Sequence, residues 1–138
     1  MPFSYPKIEK LCSKILISKL FEKNQRITKY PLRLIWLEAA LPAKVPVQSV
    51  VSVSKRRFKK AVTRNLLKRR MREAFRLNKN ELYSSVITEN KQLALMFIYQ
   101  SNDILPFSTI EKVMVFLLNE LRAKVSPTKA SGSGLNIL

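Results

Sequence analysis

The chain has 138 residues, 46% of them apolar, and carries 26 Lys and Arg against 9 Asp and Glu, a net charge of +17. That is enough for one domain with a modest core and too apolar for a disordered chain, while the charge imbalance costs self-repulsion and points to a polyanionic partner, nucleic acid before an anionic membrane. One cysteine, Cys12, and no histidine exclude an intramolecular disulfide, a zinc site and a Ser-His or Cys-His nucleophile.

In chain order, residues 1–6 read as an extended lead. Ile8, Leu11, Cys12, Ile15, Leu16 and Leu20 recur at spacings of three and four and predict an amphipathic helix over residues 7–23, with Cys12 as a small core residue. Residues 31–37 (PLRLIWL) and 47–53 (VQSVVSV) read as strands, joined by a loop holding two prolines. A further strand over residues 25–28 has only a faint pattern. Val62, Leu66, Leu67, Met71, Ala74 and Phe75 predict a second helix, followed by a polar helix end plus loop over residues 78–90. Residues 93–99 (LALMFIY) form the longest apolar run, the length of a buried strand and far short of the roughly 20 residues of a membrane span. Ser108 and Glu111 predict a capping box opening a last helix with Ile110, Val113, Met114, Leu117, Leu118 and Leu121 on one stripe. Residues 126–138 turn to Ser, Gly, Lys and Pro and are expected to be a disordered tail that folding and activity do not need. The order implies one domain over residues 1–125, a sheet covered by helices. A lone thiol without a signal peptide fits a cytoplasmic protein.

Residues 55–76 (KRRFKKAVTRNLLKRRMREAFR) hold eleven Lys and Arg and one acid, Glu73, so this stretch supplies +10 of the net charge. Arg64, Lys68 and Arg72 are four apart, and Lys60 and Arg76 extend the row over roughly 24 Å at about 1.5 Å per residue. Arginine holds a phosphate through two parallel hydrogen bonds and lysine acts as a point charge. A mixed-charge run is ordinarily a solvated face. A run of one sign carries repulsion at every i, i+4 pair, and that favours nucleic-acid binding. No heptads, zinc ligands or second short-linked helix accompany it, so a folded RNA is favoured over a DNA groove. Glu73 is expected to pair with Arg69 or Arg76. A free-standing nuclease would need a carboxylate cluster, and the nine acids are scattered.

Ser54-Lys55-Arg56, Lys60-Ala61-Val62-Thr63-Arg64-Asn65, Lys68-Arg69 and Arg72-Glu73-Ala74-Phe75-Arg76 together resemble the signature of the protein component of bacterial ribonuclease P. Leu20-Phe21 and Tyr30-Pro31-Leu32-Arg33-Leu34 are similar to the first helix and strand of its Bacteroides-like version. The resemblance covers roughly residues 6–124. It departs at Leu66, where the family's third motif position is usually arginine, and at Asn24, where a glycine is common.

The resemblance implies an α+β fold, a two-layer sandwich of a small mixed sheet covered by helices, ribosomal-protein-like, with a left-handed βαβ crossover. It implies a subunit that binds a catalytic RNA and the 5′ leader of precursor tRNA. Leader removal would be magnesium-dependent, with Mg2+ held mainly by the RNA and no catalytic residue in the protein. Carried onto this chain, RNA binding falls to Lys55, Arg56, Lys60, Arg64, Asn65, Lys68, Arg69 and Arg72, and the leader cleft to Phe21 and Arg33. Strand alternation puts Arg33 on the face opposite Trp36, so Arg33 is expected in the cleft and Trp36 against helices. No membrane and no obligate protein partner is expected. The alternative reading is a non-catalytic structural RNA-binding protein, such as a ribosomal or assembly protein.

Overall fold

The computed structural model describes residues 9–11, 13–42 and 44–125. Its elements run α1 (Lys14–Lys23), β1 (Gln25–Lys29), β2 (Leu32–Glu38), β3 (Val47–Ser52), α2 (Ala61–Asn78), α3 (Asn80–Thr88), β4 (Leu93–Tyr99) and α4 (Phe107–Val125). The strands form one mixed sheet in the order β1-β2-β4-β3. β1 pairs antiparallel with β2 and β2 with β4, whereas β3 and β4 are parallel, so α2 and α3 form the crossover between them.

Alternation along the strands divides the core in two. Leu32, Leu34, Val47, Leu93, Leu95, Phe97 and Tyr99 face α2, α3 and α4, meeting Leu67, Met71 and Phe75, Leu82 and Val86, and Ile110, Met114 and Leu117. On the other face Ile35, Leu37, Ala94 and Met96 meet Leu16 and Leu20 of the short α1. Each fully buried Val, Leu, Ile, Met or Phe among these contributes about 1.5–3 kcal/mol. The strand β4, buried on both faces, therefore has to be apolar at every position.

Several boundaries differ from the sequence reading. α1 begins at Lys14 because the Ser13 hydroxyl accepts the Leu16 N–H at 3.3 Å and ends the lead there. Ile15 is consequently 70% exposed and off the apolar stripe. α1 stops at Asn24, which takes up a left-handed φ of 51° and donates its N–H to the Leu20 carbonyl. Ile8, Cys12 and the expected tail over residues 126–138 lie outside the described residues. Where a helix end plus loop is expected over residues 78–90, most of the segment forms a separate helix, α3, seated by Leu82 and Val86. Ser108 caps nothing: α4 already starts at Phe107, and the Glu111 carboxylate accepts from the Asn78 amide of α2 at 3.1 Å. Val62 does not seat α2 either. It lies on the first turn, facing away from the core, and is 80% exposed.

Candidate nucleic-acid interface

The basic segment has two parts, built differently. In the turn before α2, the Ser54 hydroxyl accepts the Arg56 N–H at 2.9 Å and the Ser54 carbonyl accepts the Phe58 N–H at 3.1 Å. Phe58 is buried, with its ring 5.9 Å from that of Tyr99. The Ser54 turn and the Phe58 anchor fold the chain back at both ends, so Lys55, Arg56 and Arg57 stand exposed at the apex. Lys60 then occupies the N-cap position of α2 without a side-chain cap bond and is exposed.

In α2 the buried residues Leu67, Met71, Ala74 and Phe75 fix the inward face. A step of four residues overshoots a 3.6-residue turn by about 40°, so the row Arg64, Lys68, Arg72, Arg76 winds around the helix instead of lining one edge. Arg64 falls nearest the core. Its guanidinium donates to the Phe58 carbonyl at 2.9 Å and the Lys59 carbonyl at 2.8 Å, so it braces the basic turn against the helix. Lys68 is half-buried, and Asn65, Arg69 and Arg72 are exposed on the outer face.

Arg76 is bound to Glu73 in a bidentate pair at 3.0 and 2.6 Å, which settles the partner of Glu73. The Arg76 hydrogen bond holds the Glu73 carboxyl below its ordinary pKa, against some desolvation. Two further arginines serve the fold. Arg57 donates to the Asn102 side chain at 2.9 Å, and Arg70 to the Leu105 carbonyl at 2.5 Å.

The predicted leader residues lie on the opposite face of the sheet from α2. The register aligns Thr28, Arg33, Ile98 and Ser52 in one row across all four strands, and Arg26, Ile35, Met96 and Val50 in the next. The second row lies under α1 through Ile35 and Met96. The first row is only partly covered: Arg33, Ile98 and Ser52 are half-buried and Thr28 exposed. The Arg33 Nε is buried without a hydrogen-bond partner, so this floor holds a donor with nothing yet to bond. Phe21, 53% exposed, belongs to α1 above the same face. Trp36 packs with the larger core on the other side, as alternation requires.

A groove of about 750 Å³ joins the two regions. Ile98, from the floor row, forms one part of it, and Lys55, Arg56 and Arg57 with Gln100 and Asn102 form the walls. Sequence reasoning missed Arg26, which shares the floor face with Arg33 and is exposed. The signal was alternation within β1, where Ile27 is the only apolar residue.

A small mixed sheet with a strongly basic helix on one face and an open, cationic floor on the other defines an RNA-binding α+β protein. A sequence model of the family described as Ribonuclease P matches residues 5–122, and the chain belongs to the bacterial ribonuclease P protein family. It is 34% identical over 113 residues to the ribonuclease P protein component of Porphyromonas gingivalis strain ATCC 33277, covering 81% of this chain and 82% of that one. It is also 34% identical over 104 residues to the corresponding protein of Chlorobaculum tepidum, covering 70% and 67%. In fold it is similar to the Staphylococcus aureus RNase P protein, with a TM-score of 0.65 at 17% identity over 82% of this chain and 94% of that one. The chain is thus a protein subunit of ribonuclease P, the ribonucleoprotein endonuclease of tRNA 5′ maturation.

Proposed function

We propose that the two faces divide the work of this subunit between two RNAs. The outer face of α2, with Asn65, Arg69 and Arg72 and the half-buried Lys68 at its border, docks on the catalytic RNA, and Lys55, Arg56 and Lys60 extend that contact along the turn. The open floor on the other face takes the single-stranded 5′ leader of precursor tRNA, with Arg33 and Arg26 toward its backbone and Phe21 as a stacking platform. The observation that carries this reading is the separation itself: the unpartnered Arg33 Nε lies on the floor, and the exposed cations of α2 lie across the sheet. Arg64 acts indirectly, by holding the basic turn in place.

Magnesium has no fitting donor set among the described residues. Among the described residues no three acids or cysteines cluster, and Glu9, Glu73 and Glu81 are each engaged by a cation. In this reading the metal belongs to the RNA subunit, the protein supplies charge and shape, and the complex works in the cytoplasm. No helix among the described residues is long and apolar enough to cross a membrane.

The test is cleavage of two precursor tRNAs by the reconstituted holoenzyme, one with a leader of several nucleotides and one with a single-nucleotide leader. Arg33→Gln and Phe21→Ala should weaken binding of the long-leader substrate alone, the Phe21 change by about 1–3 kcal/mol if a base stacks there. Equal losses on both substrates would contradict the assignment of the floor.

A further inference from the structure

Lys79, at the junction of α2 and α3, is buried to 2% side-chain exposure, yet it contributes nothing to either RNA-facing surface. Its Nζ donates to the Glu9 carboxylate at 2.6 Å, and the Tyr83 hydroxyl donates to the same oxygen, also at 2.6 Å. The Lys79 Nζ also sits 4.9 Å from the centre of the Tyr83 ring. The Glu9 side chain is only 13% exposed. Burial of two charges is costly, and an apolar pair would fill such a place as well, so the chemistry calls for a reason beyond packing.

The path of the chain supplies one. Glu9 is fixed on the side of the sheet covered by α2 and α3. Lys10 then bridges to Ser49 on the outer strand β3, and the Leu11 N–H donates to the Ser49 carbonyl at 2.8 Å. The Leu11 side chain is already in the other core, packed with Leu16 and Leu20 of α1. Within three residues the lead therefore passes around the edge of β3 from one face to the other, and α1 begins at Lys14, immediately beyond.

We propose that Glu9, Lys79 and Tyr83 form a latch that positions α1 over the sheet, so that the anchor of the lead at the base of the RNA-docking helix sets the opening of the leader cleft. This inference rests on the reading of the floor as the leader site. The three residues are positioning residues; none of them lies on the floor. A charge pair suits this task because it specifies one register of the lead, whereas an apolar contact would tolerate sliding.

The experiment compares Glu9→Gln and the double variant Glu9→Gln/Lys79→Met with the unaltered subunit. The double variant removes both charges and so avoids leaving one buried alone. Two readouts are taken. In the first, hydrogen exchange of the free protein, both variants should lose at least tenfold protection across α1 while β4 and α4 keep theirs. In the second, cleavage by the holoenzyme, KM for the long-leader substrate should rise several-fold with kcat little changed. The single-nucleotide substrate and the affinity for the catalytic RNA should stay as they are. Unchanged protection of α1 in both variants would overturn the latch whatever the kinetics. Lost protection of α1 without a rise in the long-leader KM would overturn its role in the cleft if Arg33→Gln still shows that rise. If Arg33→Gln shows none either, the leader reading of the floor fails, and with it the latch's effect on the leader, while the exchange result still decides whether the latch holds α1.

Discussion

The Arg64 guanidinium is committed to two backbone carbonyls, and this separates it from Lys68, Arg69 and Arg72 further along α2. Arg64→Ala should therefore act mainly through the fold of the turn, whereas Lys68→Ala, Arg69→Ala and Arg72→Ala remove charge from a surface already formed. The expected outcome is that Arg64→Ala leaves the salt dependence of RNA binding nearly unchanged while lowering thermal stability. The Arg69→Ala/Arg72→Ala pair should reduce the slope by about one to two units with stability intact. Titration of catalytic-RNA affinity against salt, with melting curves alongside, checks both. Tyr99 offers a second test at this scale. Its hydroxyl donates to the Asp103 carbonyl at 2.6 Å and accepts the Leu105 N–H at 3.1 Å, and burial raises its pKa above the ordinary 10.0. A phenol whose folded pKa is raised contributes stability that is full below the unfolded value and is lost as pH rises through the folded one. Tyr99→Phe should cost about 1–2 kcal/mol at neutral pH through the two abandoned backbone groups. Stability measured from neutral pH to above 10 should fall less steeply in this variant than in the parent. Glu73 works in the opposite sense. Its carboxyl is held low by Arg76, so its small contribution is present above the unfolded pKa and fades as pH falls through the folded one.

Among the elements, legibility in the sequence followed how deeply each is buried. β4 and the apolar stripe of α4 were plain because nearly every position that could show a pattern packs in the core. β1 was faint because an outer strand with one half-buried residue, Ile27, has almost no pattern to show. α3 is hard to read as a separate helix because Leu82 and Val86 are its only fully buried residues, with Tyr83 half-buried beside them. The row of cations on α2 was legible in composition but not in geometry: spacing alone could not show that Arg64 turns back to the chain and Arg70 to the Leu105 carbonyl. The left-handed Asn24 that ends α1 stands where the resemblance has a glycine, and asparagine tolerates that backbone. Replacing it with alanine should cost about 1–2 kcal/mol, and with glycine little or nothing, in chemical denaturation. A loss from Asn24→Gly as large as from Asn24→Ala would show that the side chain, and not the backbone, matters there.

For the whole molecule, the sheet keeps two basic surfaces apart and a groove at one end connects them. Motif spacing pointed to the RNA partner, but only the register of the sheet placed Arg33 and Ile98 side by side and brought Arg26 onto the same face. The Glu9 and Lys79 pair, 70 residues apart, had no trace in the local pattern. On the proposed division one RNA binds on each side and counterion release supplies much of the affinity, so both contacts should weaken steeply with salt. The most direct test of this division is cleavage of a long-leader precursor tRNA at low magnesium by the cognate ribonuclease P RNA. It would be run alone, with the protein, with the Arg69→Ala/Arg72→Ala variant and with Arg33→Gln. Stimulated cleavage at the mature 5′ end is expected with the parent protein. The α2 variant should need more protein to reach the same stimulation. Arg33→Gln should saturate the RNA normally and yet bind the long-leader substrate poorly. If both variants failed in the same way, by weaker binding to the catalytic RNA, the two faces would not serve two RNAs.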